Sequence, residues 1–148
     1  MAEDIDYEPS PNPKVRDQVE LYERSGGTEG NTQRDTGIPV IIITSLGAKS
    51  NRLRKTPVIR VAKDGIYAIV ASRGGAPYNP QWYHNLIAHP DKVMIQDGPE
   101  RFGVTVREAK GDERAAWWEH AVATFPTYGE YQKKTDRLIP VLIATRRG

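Results

Sequence analysis

Cysteine is absent from the chain. Its absence excludes disulfide bonds, thiolate nucleophiles and every zinc site that depends on thiolate ligands. No apolar run approaches the ~20 residues that a helix needs to cross a bilayer. The first residues carry the acids Glu3, Asp4 and Asp6, and they lack the basic head and apolar stretch of a secretory signal. We therefore expect a cytoplasmic protein, and its 148 residues allow one domain with one cofactor-sized site.

Acidic residues are also absent from one long interval, between Asp35 and Asp64. The cationic side chains inside it are Lys49, Arg52, Arg54, Lys55, Arg60 and Lys63. A solvated basic surface is the usual explanation of such a run, and charge alone favours it. A binding site for an anionic ligand is the alternative. Nucleic acid is not an expected partner, because the aromatic residues do not interleave with the basic ones.

Several catalytic motifs are missing as well. His84 and His89 are five residues apart, whereas two ligands on one helical face need a spacing of three or four. No cluster of carboxylates joins them, so we predict no metal site. The chain has no Gly-x-Ser-x-Gly elbow and no Walker loop, so acyl transfer and nucleotide hydrolysis lack support.

The chain divides into an N-terminal part and a region rich in strand signals. Residues 1–13 are acidic and carry three prolines, so we expect a mobile tail. Within residues 14–37, Val15, Val19 and Tyr22 have helical spacing, Gly26 and Gly27 supply a stop, and a polar loop follows. Because the apolar stripe is thin, this helix should lie on a surface or cover a groove. Residues 38–148 should form the folded domain.

Six stretches have the β-branched content and turn boundaries of strands. They are residues 38–44, 58–62, 66–71, 93–96, 102–107 and 139–145. The first is nearly continuous in apolar residues, as expected for a strand buried on both faces. The pair Asp64-Gly65 predicts a type I′ hairpin, and residues 97–100 predict a second hairpin.

Three helices are expected between these strands. Asn79 as a cap and Pro80 at the first helical position predict a helix that ends at Pro90. A longer helix should cover residues 112–124, and Thr127 with Glu130 has the spacing of a capping box for a short helix. Strands joined mostly as hairpins, with helices on the crossings, predict an α+β domain built on a six-stranded antiparallel β-barrel.

Three stretches in order carry a family resemblance: TSLGAKSNRLRKTPV at 44–58, ASRGGAPYNPQWYHNL at 71–86 and FPTYGEYQKKTDRLIPV at 125–141. Together they resemble the deazaflavin-dependent nitroreductase family, the F420-dependent split-barrel reductases of actinobacteria, over about residues 38–145. The resemblance implies a six-stranded split β-barrel of the type that binds flavin mononucleotide (FMN). It also implies the cofactor F420, whose deazaflavin head, phosphate and glutamate tail form an elongated polyanion. The resemblance thus implies that this polyanion is the ligand of the basic interval.

The first stretch is similar to the family's cofactor loop, which we expect between Gly47 and Pro57. Arginine can grip a phosphate through two parallel hydrogen bonds, lysine acts as a point charge, and turn amides form an anion nest. The sequence departs from the family at Ala48, often basic, and at Asn51, usually glycine. Asparagine tolerates positive φ, so the turn should still form. The predicted cofactor residues here are Lys49, Ser50, Arg54, Lys55 and Pro57.

The second stretch resembles the part of the family that contacts the deazaflavin ring. The glycine turn after the strand lets backbone approach a planar ring closely. The residues implied are Ala71, Ser72, Arg73, Gly74, Trp82 and Asn85. Without the resemblance, Ser72 would be taken as a serine that caps a turn, and Trp82 as an ordinary core aromatic residue.

The third stretch places Tyr128 and Tyr131 on one face of the short helix. In the family, tyrosines here close over the substrate beside the deazaflavin. A tyrosine ring offers an apolar wall and its hydroxyl offers a proton. The alternative is that both only anchor the helix to the barrel.

The sequence therefore predicts an F420-dependent oxidoreductase that passes a hydride to a small organic acceptor, which would be a quinone, an enone or lactone, or a nitroaromatic compound. The predicted catalytic residues are Ser72, Tyr128 and Tyr131. An FMN-binding split-barrel reductase is one alternative, although FMN has no glutamate tail to explain the basic interval. A non-catalytic F420 carrier is another. A monomer or a homodimer, and a peripheral membrane contact of the N-terminal helix, all remain open.

Overall fold

The computed structural model of the protein describes residues 6–33 and 36–147. Its helices are α1 (Pro13–Arg24), α2 (Gln81–Ala88), α3 (Gly111–Thr124) and α4 (Thr127–Lys133). Its strands are β1 (Thr32–Gln33), β2 (Ile38–Leu46), β3 (Leu53–Ile59), β4 (Val61–Lys63), β5 (Ile66–Val70), β6 (Val93–Asp97), β7 (Glu100–Glu108) and β8 (Val141–Arg146). None of the helices in these ranges is long and apolar enough to span a bilayer. Residues 1–5 of the predicted tail lie outside the described residues.

One antiparallel sheet contains the described strands, in the order β1-β2-β6-β7-β8-β5-β4, with β3 paired to β2 off this path. The strand β2 pairs with three others, β1, β3 and β6. It pairs with β3 from Val40 opposite Ile59 to Leu46 opposite Leu53, and with β6 along Ile42–Thr44. An antiparallel sheet with helices at its crossings confirms the predicted α+β class.

The predicted number of strands is wrong, because the described part of the sheet has eight strands instead of six. The predicted strand at 58–62 is divided at Arg60 between β3 and β4. Upstream, β3 already begins at Leu53, in a segment whose charged residues give little local strand signal but whose backbone pairs with β2. The two-residue strand β1 was expected to be loop, and it pairs with the first residues of β2.

Both predicted hairpins are confirmed. Asp64 and Gly65 have φ values of 55° and 78°, the two positive values that a type I′ turn requires. Asp97 lies opposite Glu100, so Gly98 and Pro99 alone connect β6 to β7.

The predicted starts of two helices are wrong by one residue. Pro80 is the N-cap of α2, and Asn79 instead accepts a hydrogen bond from Arg137 Nη1 at 2.7 Å. Pro126 is the N-cap of α4 and already has helical dihedrals, so Thr127 lies inside the first turn and no capping box forms. In both cases the N-cap is a proline, and the fixed backbone of that proline sets where the helix starts. Side-chain spacing alone could not show this.

The hydrophobic core covers both faces of the central strands, as predicted for β2. Ile41 and Ile43 pack into one cluster with Leu86 of α2, whereas Val40 and Ile42 pack into the other with Tyr22 of α1. Strands β5 and β8 alternate in the same way. The cluster that contains Tyr22 also includes side chains of α3 and α4. It therefore packs both helices against the face of the sheet on which the candidate site opens.

Candidate active site

A cavity of about 310 Å³, here called the ring cavity, opens between β3, the end of β5, α1, α2 and α4. Its walls mix apolar side chains with a few polar groups, as small-molecule sites usually do. The predicted site residues that line it come from all three stretches of the sequence. They are Pro57, Ser72, Arg73, Gly74, Trp82, Tyr128 and Tyr131.

A smaller recess of about 190 Å³, here called the cationic recess, lies beside the ring cavity. Three predicted residues, Arg54, Lys55 and Asn85, line it, and Trp82 lines both spaces. The indole therefore stands between a mostly apolar cavity and a recess with two cationic side chains. An elongated ligand with a planar head and an anionic tail could use both.

The loop between β2 and β3 carries the predicted residues Lys49 and Ser50, which line neither space and are exposed. Asn51 has a φ of 57°, so the asparagine adopts the left-handed conformation expected where the family has glycine. The buried Asn85 accepts a hydrogen bond from the backbone N–H of Ala48 at 2.9 Å. Asn85 thus anchors this loop to α2.

The predicted cofactor loop is shorter than expected. Arg54, Lys55 and Pro57 belong to β3, opposite Ser45, Thr44 and Ile42 of β2. Their backbone positions are therefore fixed by the sheet, and only residues 47–52 form a connecting loop. Pro57 is accommodated because β3 has no second strand partner at that position within the described ranges.

The end of β5 leads into a tight turn at Arg73–Gly75. Three consecutive residues have positive φ, which is 46° at Arg73, 62° at Gly74 and 82° at Gly75. A Cβ atom added to Gly74 would meet no protein atom within 4 Å, so the space beside this glycine is open. Ser72 is buried and lines the cavity, whereas Ala71 is fully buried and does not line it.

The tyrosines of α4 form one wall of the ring cavity. Tyr128 is buried and its ring lies edge-on to Phe125, with centroids 4.9 Å apart, and Tyr131 lies 6.3 Å from Tyr128. Burial, and secondarily the neighbouring Tyr131, raises the pKa of Tyr128 above its ordinary value. The Tyr128 hydroxyl therefore keeps its proton at neutral pH.

Acidic residues from the N-terminal part reach the cations of the basic interval. Lys55 Nζ lies 2.8 and 3.0 Å from the two carboxylate oxygens of Glu23, and Arg54 lies 3.3 Å from Glu8. The N-terminal segment around Glu8 is held beside β3 by backbone hydrogen bonds, since Glu8 N–H donates to Leu53 O at 2.9 Å. The basic interval contains no acids in sequence, but acidic side chains from the N-terminal part neutralise some of its positive charge in the folded protein.

Sequence reasoning missed several residues that line the ring cavity. Gln18 of α1 is one, and its amide donates to the carbonyls of Gly30 and Thr32 at 2.9 and 3.1 Å. A signal was available, because Gln18 is a polar residue three positions after Val15 and four before Tyr22, on the apolar stripe of the predicted helix. The other missed lining residues are Gln33, Val40, Val58, Ile59, Val70 and Phe125.

Comparison with solved structures gives the class of the protein, a split-barrel reductase. A solved F420-H2 dependent reductase (FDR-A) is 50% identical, with a TM-score of 0.68 over 72% of this chain and 93% of that one. A solved domain-swapped dimer is 46% identical, with a TM-score of 0.70 over 91% of this chain and 99% of that one.

The particular family follows from the sequence comparisons. The model of the F420H(2)-dependent quinone reductase family matches residues 14–146. An F420H(2)-dependent quinone reductase of Mycobacterium tuberculosis is 42% identical over 113 residues, which cover 74% of each chain. The chain belongs to the F420H(2)-dependent quinone reductase family. The predicted resemblance, the split-barrel fold, the oxidoreductase class and the cofactor F420 are thereby confirmed.

The described residues fit this cofactor. The open space beside Gly74 would admit a planar ring against the backbone, and the apolar wall of Tyr128 and Phe125 would cover it. The adjoining recess offers Arg54 and Lys55 to phosphate and carboxylate groups. Charge, shape and polarity of the two spaces therefore agree with a deazaflavin head and a polyanionic remainder.

Proposed function

We propose that this protein reduces a quinone with reduced F420 as the hydride donor. The ring cavity would hold the deazaflavin head together with the acceptor, and the cationic recess would receive the phosphate and the tail. The family description and the Mycobacterium tuberculosis relative both name quinones as acceptors, which favours a quinone over an enone or a nitroaromatic compound.

One observation carries the proposal. The turn at Arg73–Gly75 and the tyrosines of α4 line a single cavity, and that cavity shares Trp82 with a recess containing Arg54 and Lys55. Residues that are more than 50 positions apart in sequence thus converge on one apolar space beside one cationic space. This arrangement suits a ligand with those two parts.

The residues would have distinct tasks. Arg54 and Lys55 would bind anionic groups of the cofactor, which requires Glu8 to share or release Arg54 and Glu23 to share or release Lys55. Lys49 and Ser50, on the exposed loop, would extend the grip toward the tail. Ser72 would donate a hydrogen bond to the cofactor edge or to the acceptor. These interactions position the cofactor and contribute the same binding energy before and during reaction.

When bound, reduced F420 supplies a hydride. Conversion of a quinone to a hydroquinone takes one hydride and one proton, so the site must also deliver a proton to a quinone oxygen. Among the described residues, Tyr131, half-buried on the cavity wall, and the protonated Tyr128 are the phenolic hydroxyl groups that line the cavity. Tyr128 and Phe125 would also exclude water from the acceptor.

The test is anaerobic oxidation of reduced F420, followed by absorbance, with a naphthoquinone, a benzoquinone, an enone and a nitroaromatic compound as acceptors. We expect the highest kcat/KM with a quinone. Binding of F420 without turnover of any acceptor would favour a carrier, and turnover with reduced FMN in preference to reduced F420 would favour the flavin alternative.

Assembly and location are further proposals. A homodimer is supported by the 46% identical domain-swapped dimer, and light scattering after size-exclusion chromatography would measure the mass. Cytoplasmic location and peripheral membrane contact stay predictions, and cell fractionation with vesicle co-sedimentation tests both. The division into residues 1–13, 14–37 and 38–148 also stays a prediction.

A further inference from the structure

Arg137, in the connection between α4 and β8, binds the segment that forms the cofactor side of the ring cavity. Its guanidinium donates to the carbonyls of Ala71, Ser72 and Ala76 at 3.1, 2.6 and 2.9 Å, and to Asn79 Oδ1 at 2.7 Å. These acceptors lie on both sides of the Arg73–Gly75 turn, Ala71 and Ser72 before it and Ala76 and Asn79 after it. One planar side chain thus holds both ends of the strained turn.

The guanidinium makes these bonds without a carboxylate partner in the part of the chain that the structure describes. Burial, and then repulsion from Arg73, lowers the pKa of Arg137 below its ordinary value. The half-buried guanidinium is thus satisfied by carbonyl and amide oxygens alone, all of them on the segment around the turn. A role in holding the turn would account for its presence.

Arg137 is itself held by α4. Gln132 Nε2 donates to the backbone carbonyl of Arg137 at 2.8 Å, and Gln132 Oε1 accepts from Ile139 N–H at 3.0 Å. The side chain of Gln132 therefore binds the backbone at Arg137 and two residues after it. Gln132 directly follows Tyr131 in α4. Arg137 is therefore held by the same helix that contributes Tyr128 and Tyr131 to the cavity wall.

The turn also touches α4 directly. A Cβ atom at Gly75 would lie 2.6 Å from the carbonyl oxygen of Tyr131 and 3.1 Å from the Cβ of Lys134. The backbone of the turn is thus packed against the last turn of the helix. Two independent contacts, the Gly75 packing and the Arg137 hydrogen bonds, join the same two elements.

We infer that Arg137 is a positioning residue that holds the Arg73–Gly75 turn and α4 in a fixed arrangement. The cofactor side and the acceptor side of the ring cavity would thereby keep a constant separation and orientation. The supporting observation is that Arg137, held by Gln132 of α4, donates hydrogen bonds to Ala71, Ser72, Ala76 and Asn79. The inference rests on the proposed function, in which hydride transfer requires both walls. Arg137 lines neither the ring cavity nor the cationic recess.

Arg147 supplies a matched control. It also donates to backbone carbonyls, those of Asp91, Val93 and Val104, but it joins β7 and the start of β6 away from the ring cavity. Both variants remove a guanidinium that donates to backbone carbonyls, from a half-buried site in Arg137→Ala and from an exposed one in Arg147→Ala. A merely structural role would lower the melting temperature of either variant without lowering kcat in the folded protein.

The first readout needs no cofactor. Hydrogen exchange followed by mass spectrometry should show faster exchange at residues 71–79 and 127–134 in Arg137→Ala, and faster exchange near residues 91–104 in Arg147→Ala. Unchanged exchange at residues 71–79 in Arg137→Ala would overturn the inference. This outcome is independent of whether the protein reduces quinones.

The second readout is kinetic. At a temperature well below both melting points, Arg137→Ala should lose about tenfold or more in kcat, because a displacement near 1 Å in a reacting pair can cost about 10²-fold. Arg147→Ala should keep the wild-type kcat. Guanidinium at low millimolar concentration should restore part of the activity of Arg137→Ala, and the same concentration of sodium chloride should not.

A third variant covers a failure to fold. Arg137→Lys keeps the charge but offers a single ammonium group in place of the planar fork, so it should fold and still lose kcat. Equal kcat in Arg137→Lys, Arg147→Ala and wild type would overturn the inference. If wild type itself reduced no acceptor, the proposed function would fail while the exchange experiment still decided the role of Arg137.

Discussion

Gly74 offers a direct test of whether the Arg73–Gly75 turn carries the cofactor ring. It has a φ of 62° and a ψ of 19°, and an added Cβ would meet no protein atom within 4 Å. In Gly74→Ala the new methyl group should therefore fit the protein but occupy space that the ring needs. A clash with the ligand, rather than with the fold, is the expected effect.

The cost in stability can be worked out from the backbone. An L-residue in the left-handed region costs about 1–2 kcal/mol. For a domain of this size, each kcal/mol lowers Tm by about 2–4 °C. Gly74→Ala should therefore melt only slightly below wild type. Gly65→Ala in the β4–β5 hairpin is the control, because Gly65 has a φ of 78° and equally open space.

The cost in binding should separate the two variants. Forcing a methyl group into a packed contact typically costs about 1–3 kcal/mol, which corresponds to roughly fivefold to hundredfold in Kd. We expect that loss of F420 affinity in Gly74→Ala and none in Gly65→Ala, as measured by fluorescence titration. Wild-type affinity in Gly74→Ala would refute the assignment of the ring to this turn.

Three further predictions concern the charges and the hydroxyl groups. Arg54→Ala should weaken F420 binding about tenfold or more and leave kcat at saturating cofactor nearly unchanged, because a charged hydrogen bond is worth about 1.5–3 kcal/mol. Tyr131→Phe should keep F420 affinity and lower kcat about 10²-fold if the hydroxyl donates the proton, whereas a wild-type rate would restrict this tyrosine to packing. Burial, and a 2.6 Å hydrogen bond to Glu108, raises the pKa of Tyr83 to about 12, above the unfolded value near 10. Since the folded state then holds more protons between about pH 10 and 12, the Tyr83 contribution to stability is present below pH 10 and is lost across that window.

Each of these three predictions has a control or a result that would contradict it. Lys63→Ala in the β4–β5 hairpin removes a cation that does not line the recess, so a loss equal to that of Arg54→Ala would show a non-specific charge effect. Melting points must accompany the Tyr131 rates, because an unfolded α4 would mimic a catalytic defect. Tyr83→Phe should flatten the decline in chemical stability between about pH 10 and 12 relative to wild type. A decline of equal steepness in both proteins would contradict the assigned pKa.

The features that sequence predicted well are those set by a few neighbouring residues. Asp64-Gly65 determines its hairpin because only certain residues accept two consecutive positive φ values. Asn51 could be expected to keep a glycine-like turn for the same reason. The convergence of Ser72, Trp82 and Tyr128 on one cavity was predicted through family resemblance, since the residues alone favoured a structural role for Ser72 and Trp82 and left both roles open for Tyr128.

The features that sequence could not predict depend on contacts between distant segments. The strand β3 begins at Leu53 because β2 offers a partner, not because Arg54 and Lys55 favour strands. Glu23 neutralises Lys55 only because α1 packs across β3. Arg137 lies in the third stretch of the family resemblance, but the sequence assigned it no role, because its four acceptors are 58 to 66 residues away.

The central claim is that the ring cavity and the cationic recess together bind F420. The most direct measurement is the Kd of the wild-type protein for F420 and for FMN, each at low salt and at about 0.5 M salt. We predict tighter binding of F420 and a loss of affinity as salt rises, because the recess is partly open and charges there are screened within ~10 Å at 0.1 M salt. Equal or tighter binding of FMN would contradict the claim.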